Sequence, residues 1–221
     1  RHVEVTVLSA RGGPRWPARI AFRGTTVVRV GHPPGGARDT GRYTRSLARW
    51  LRQNQGRYDL VCVSMLRHEA RAAVSAVRGQ VPVVLRAESA GQFGDCLWQL
   101  EANCGPRIKR RCMQADALIG PSRGIQRELI AAGYPRPRIH YLPNGVVPPP
   151  IADREAKAAA RAALVAVNPA LESSPSTLLA VYTGRLEEAK GLAGLVEAWQ
   201  TVVAQRPDAR LWLVGEGSFR A

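Results

Sequence analysis

The sequence predicts an α/β protein built on a parallel sheet, followed by the opening of a second α/β unit. Short β-branched runs alternate with helical apolar stripes, and few hairpin signals interrupt that rhythm. A proline-rich break near residue 147 is then followed by a fresh strand–helix–strand pattern. Sheets of this kind are covered by helices on both faces, so their strands read as short apolar runs.

Residues 3–8, VEVTVL, alternate and are β-branched, which predicts a strand. RGTTVVRVGHPPGG (23–36) reads as a second strand entering a Pro/Gly loop. Tyr43, Leu47, Trp50 and Leu51 fall at i, i+4, i+7 and i+8, one apolar stripe of a helix. DLVCVS (59–64) is a short buried strand, followed by a helix over 67–78. VPVVLRAES (81–89) is another strand, with polar residues at its carboxyl end. Residues 106–115 form a basic helix, and DALIGPS (116–122) a strand. Ser122 is a good N-cap for the helix that follows, which Gly133 closes. RIHYLPNGV (138–146) is the last strand of this unit and runs into a turn.

Residues 147–176 read as a linker with an alanine-rich connecting helix capped by Asp153. Beyond it, Leu192, Leu195, Val196, Trp199, Val202 and Val203 make a helical stripe, and ARLWLVGEG (209–217) returns as a buried strand. The expected organisation is therefore an N-terminal unit over 1–146, the connecting segment over 147–176, and a second unit begun at 177–221. One βαβ unit cannot bury both faces of its sheet, so the 221 residues read as a piece of a longer protein.

Hydrophobic residues make up 45% of the chain, enough for a real core and against general disorder. No apolar run approaches the ~18 residues of a membrane span, and the N-terminus does not resemble a signal peptide. The expectation is a soluble, cytoplasmic protein. Cys62, Cys96, Cys104 and Cys112 form no CxxC pair and no histidine cluster completes a site, so free thiols are expected and no metal. The net charge of +15 points by itself to an anionic partner. Yet 29 of the 32 cations are arginines scattered along the whole chain, unlike a built footprint. The one dense run, RIKRR (107–111), reads as a solvated helix face, with a contact to a phosphate-bearing substrate or a peripheral contact to anionic lipid on the inner face of a membrane as the alternatives.

The chemistry concentrates where the second unit's first strand ends. In VYTGRLEEAKGLAGLVEAW (181–199), Gly184 ends the strand, and Arg185 and Lys190 precede the helix. Ligands of open parallel sheets bind at strand carboxyl ends, and helix N-termini favour anions. Arg185 offers a planar bidentate clamp and Lys190 a mobile point charge, a pair suited to a diphosphate. Two solvated cations in a helix-entry loop are the plainer alternative.

These residues resemble family-4 glycosyltransferases of the GT-B fold. VYTGRLEEAKGLAGLVEAW with PDARLWLVGEG is similar to the opening of that family's donor-binding domain. ADALIGPSRGIQRELIAAGYPRPRIHYLPNGV resembles the end of its acceptor-side domain, RHVEVTVLS that domain's second strand, and YDLVCVSMLRHEA with VPVVLRAESAG its middle. The resemblance implies a parallel-sheet Rossmann-like N-terminal domain plus the first βαβ unit of a second one. It also implies retaining transfer of a sugar, from a nucleotide-sugar donor held in the cleft between two such domains, to a saccharide or lipid-linked acceptor, without a cofactor. By the family pattern Arg185 and Lys190 hold the donor diphosphate, Gly184 lets the backbone approach, and Gly215 and Gly217 shape the nucleotide side.

The chain departs from the family in lacking a first strand with its glycine loop before Arg1 and a Glu-x7-Glu segment after Ala221. It also carries Glu88 where many members have histidine. Glu88 either orients an acceptor hydroxyl or contacts the donor sugar, where a carboxylate serves as a base if its pKa is raised, or pairs with Arg86 as an ordinary strand-end carboxylate. His68 is a second catalytic candidate, with helix-start packing as the alternative. Ser89 and Asn144 are cleft candidates, and Asn144 also suits a turn with positive φ. Two other functions compete with the transferase: a basic module binding nucleic acid or anionic membrane, and a catalytically inactive transferase fragment. The scarcity of aromatics, 6%, and the absence of a basic–aromatic element count against the first.

Overall fold

The structure is a computed structural model that describes residues 3–33, 35–174 and 176–220. Pro34 of the Pro/Gly loop and Pro175 of the connecting segment lie outside the described residues. The chain divides into two compact units, Arg1–Val146 and Val147–Ala221.

In the first unit, β1 (Thr6–Ser9), β2 (Arg19–Phe22) and β3 (Thr25–Arg29) form one sheet in the order β1-β3-β2. The first strand starts three residues later than the alternation implied. The second is absent from the sequence reading, and it pairs antiparallel with β3 in a hairpin. Arg23 (φ 48°) and Gly24 (φ 78°) make the turn, and positive φ at both positions is what a tight two-residue hairpin needs. An arginine at the first of them hid the signal, which normally comes from Asn or Asp.

The helix α1 (Ala37–Gln53) then crosses to a second sheet, in which β4 (Val61–Ser64), β5 (Val83–Arg86), β6 (Ala117–Gly120) and β7 (Ile139–Tyr141) are all parallel and adjacent in chain order. Its inner strands carry the core: Val83, Leu85 and Leu118 are fully buried. Each such side chain contributes about 1.5–3 kcal/mol relative to exposure. On α1 the predicted stripe is inward, with Tyr43, Leu47 and Leu51 buried. It packs on α2 (His68–Val77), whose Ala70, Ala72 and Ala73 are small enough to let the two helices approach. One apolar cluster runs from Val30 and Leu47 through Val83 to Ile108 and Leu129.

Two helices follow β5. The short α3 (Asp95–Glu101) is missing from the sequence reading; it packs on α4 (Gly105–Cys112), the basic helix. Ile108 and Cys112 of α4 face the core, while Arg107, Arg110 and Arg111 are exposed. After β6, Ser122 accepts a hydrogen bond from the Ile125 amide (3.2 Å) and starts α5 (Arg123–Ala131) as expected.

In the second unit α6 (Arg154–Val167) is capped by Asp153, which accepts from the Ala156 amide at 2.7 Å. Then β8 (Leu179–Thr183) and β9 (Arg210–Val214) pair in parallel, joined by α7 (Leu192–Gln205). Here the expected burial is not reached. On α7 Leu192 alone is buried, Val196 and Val203 are exposed, and β9 is at best half-buried. Two strands and one helix offer too little apolar surface to cover one another.

Candidate functional site

The loop after β8 is closed chiefly by backbone hydrogen bonds to the loop after β9. The Gly184 amide donates to the Val214 carbonyl (3.0 Å), the Leu186 amide to Glu216 (2.9 Å) and the Phe219 amide to Leu186 (2.9 Å). The two strand-end loops are thereby zipped together. A Cβ on Gly215 would sit 1.8 Å from the Gly184 carbonyl oxygen, and one on Gly217 2.2 Å from that of Leu186. Both glycines also have φ near 155°. They are required by close backbone approach, a more specific duty than the turn role that the sequence alone suggests.

The zipper presents Arg185 outward. Its side chain is 70% exposed and pairs with Glu187 at 3.0 Å, while its carbonyl accepts from the Tyr182 hydroxyl. Lys190 ends a short 3-10 turn (Glu188–Lys190) just ahead of α7; it is exposed and makes no ion pair among the described residues. Gly191, left-handed at φ 69°, is the N-cap of α7, and no side chain caps that helix. An uncapped helix start beside two exposed cations is an arrangement that accepts an anion.

In the first unit the candidates separate into two places. At the end of β5, Arg86 reaches both Glu88 oxygens (2.5 and 2.6 Å) and also donates to the Asn144 side-chain oxygen. Glu88 is thus an anion held by a guanidinium, and Asn144 is joined to it through the same group. The positive φ expected for Asn144 is not found; its side-chain bond to Arg86, not a turn, fixes it. Ser89 is half-buried and has no side-chain hydrogen bond among the described residues. His68 begins α2 apart from this pair, edge-on to Trp98 (5.5 Å), with its Nε2 3.9 Å from the Cys104 sulfur.

A buried polar layer on α3 supports both places, and sequence reasoning missed it. Asp95, 1% exposed, accepts from the Glu88 amide (3.2 Å) and pairs with Arg67 Nε (3.3 Å). Burial pushes its carboxyl above the ordinary range, partly offset by those hydrogen bonds and by Arg67. Gln99, equally buried, donates to the Leu66 carbonyl (2.6 Å) and accepts from the Tyr134 hydroxyl (2.7 Å). Glu128 of α5 accepts from the Gly91 amide at 3.0 Å. The only hint in the sequence is a glutamine inside the apolar stretch CLWQL.

The thiols are all free. Burial raises Cys96 to about 11 and Cys112 to about 12, so neither is a nucleophile at neutral pH. No group of three or more metal-ligating side chains exists among the described residues, nor a helix long and apolar enough to cross a membrane.

Solved structures share this architecture. An α,α-trehalose-phosphate synthase (UDP-forming) from Burkholderia vietnamiensis matches with a TM-score of 0.65 and 13% identity, covering 98% of this chain and 66% of its own. Sucrose-phosphate synthase from Thermosynechococcus elongatus gives 0.64 and 19%, covering 96% and 52%. Anabaena HepE in complex with UDP-glucose gives 0.60 and 16%, covering 87% and 48%. The fold is therefore of the GT-B type, and the chain spans about half to two thirds of the length of these proteins. No curated protein matches the sequence. The family model for Glycosyltransferase Family 4 matches residues 1–148, and the chain belongs to that family.

Proposed function

We propose that the protein moves a sugar from a nucleoside-diphosphate sugar to an acceptor hydroxyl, with retention at the anomeric carbon. The observation that carries this reading is the loop of Arg185 and Lys190 at the mouth of an uncapped helix, held in shape by the Gly215 and Gly217 zipper. A diphosphate there would take a bidentate bond from Arg185, once released from Glu187, and a point charge from Lys190. As the sugar–phosphate bond breaks, negative charge grows on the leaving nucleotide. Two cations aimed at it stabilise the transition state more than the ground state. UDP is the favoured nucleotide, because HepE, a structural relative, binds UDP-glucose.

On the first unit, Glu88 and Asn144, set by Arg86, are proposed to contact the acceptor, with Ser89 beside them in sequence and His68 a second polar group. The test is incubation with a panel of UDP- and GDP-sugars and simple glycoside acceptors, with the product's anomeric configuration read by proton NMR. Product of retained configuration, lost in Arg185→Ala, supports the proposal. Product of inverted configuration contradicts it.

A further inference from the structure

Four contacts link the two strand-end loops that carry Glu88 and His68. In the loop after β5, the Glu88 backbone amide donates to one Asp95 oxygen at 3.2 Å. The other Asp95 oxygen meets Nε of Arg67, at 3.3 Å, on the loop after β4. The Arg67 guanidinium lies 5.0 Å over the ring of Trp98, and the His68 ring stands at 76° to that ring with centroids 5.5 Å apart. Asp95 is 1% exposed, yet no apolar side chain replaces it there. A buried carboxylate costs several kcal/mol of desolvation unless its partners compensate. Packing alone would be better served by an aliphatic residue.

We propose that Asp95 is a positioning residue that locks the loops after β4 and β5 to each other, so that one buried carboxylate sets both Glu88 and His68. The functional weight of the lock rests on the reading of those two residues as acceptor-side groups; the lock itself does not. Through Arg67, a change at Asp95 reaches His68, which it does not touch. Glu128, which binds the far end of the same loop through the Gly91 amide, lies outside this route.

The test is amide exchange at Glu88 and the ring resonances of His68, read by NMR on the 15N-labelled 221-residue chain. In Asp95→Ala the Glu88 amide is expected to exchange at least tenfold faster and the His68 ring signals to shift. Arg67→Gln, at a position whose side chain is 29% exposed, should produce both changes although Arg67 does not touch Glu88. Glu128→Gln should speed exchange at Gly91 and leave His68 in place. The proposal is overturned if Asp95→Ala folds with His68 unshifted, or if Arg67→Gln leaves Glu88 exchange at the wild-type rate. It is equally overturned if Glu128→Gln moves His68 as much as Asp95→Ala does. Should Asp95→Ala fail to fold, Arg67→Gln decides. Loss of the transferase reading in activity assays, with these couplings intact, would leave the lock standing.

Discussion

After β5 the chain is tied down by buried side chains: Asp95 and Glu128 hold amides of the loop, and Gln99 holds the loop beside it. After β8 the chain is tied down by its own backbone, with two glycines removed from the way and the charged side chains left outside. Both loops end parallel strands, and both carry candidate site residues. Side-chain anchoring spends polar groups inside the protein, so the residues it positions, Glu88 and Asn144, come already paired. Backbone anchoring leaves the loop's two cations at the surface, where Lys190 makes no ion pair among the described residues and Arg185 is held only by its exposed pair with Glu187. The first arrangement suits a rigid, pre-set surface, and the second suits capture of an anion.

The comparison breaks most sharply at the glycines. Gly217→Ala places a methyl 2.2 Å from a carbonyl oxygen that cannot move without opening the zipper. We expect a loss of about 3 kcal/mol or more in the second unit, read by thermal unfolding. Gly105→Ala should act comparably in the first unit, since its Cβ would meet the Gln99 carbonyl oxygen at 1.9 Å. Next is Gln99→Leu, which strands the Leu66 carbonyl and the Tyr134 hydroxyl at about 1–3 kcal/mol for each. By contrast Glu187→Gln, at an exposed ion pair, should change stability by less than about 1 kcal/mol.

Smaller effects sharpen the picture. Ser122→Ala should lower stability by about 1 kcal/mol through the lost cap. Asp95 gives a pH signature. Its folded pKa is raised, so the stability it contributes is full below the ordinary carboxylate pKa of about 4 and falls as pH rises through the folded value. Asp95→Asn lacks that titration, so its melting temperature should gain on wild type as pH rises across that window. A gap independent of pH would show that burial does not dominate at this carboxylate.

What could be read from the sequence was local. The stripe Tyr43, Leu47, Leu51 and the caps Ser122 and Asp153 depend on residues within two turns of one another, and they appear as expected. The α3 network depends on pairs such as Arg67–Asp95 and Leu66–Gln99, roughly thirty residues apart, and no periodicity reports such pairing. Gly215 and Gly217 were legible as glycines after a strand. Their necessity comes from carbonyls of residues 184 and 186, which only the β8–β9 ladder brings near. The half-buried state of α7 and β9 follows from the count of elements, since one βαβ unit cannot cover its own sheet, and not from the apolar stripe, which states what a helix can bury and not what lies against it.

The most direct measurement is calorimetric titration of the chain with UDP at low and high salt, repeated for Arg185→Ala and Lys190→Ala. Saturable binding that weakens with salt is expected, with a loss of about tenfold or more in each variant, in line with a charge-assisted bond to phosphate. The variants should melt within a degree or two of wild type, since both side chains are exposed. Binding of undiminished affinity in both variants would contradict the assignment of this loop to the diphosphate.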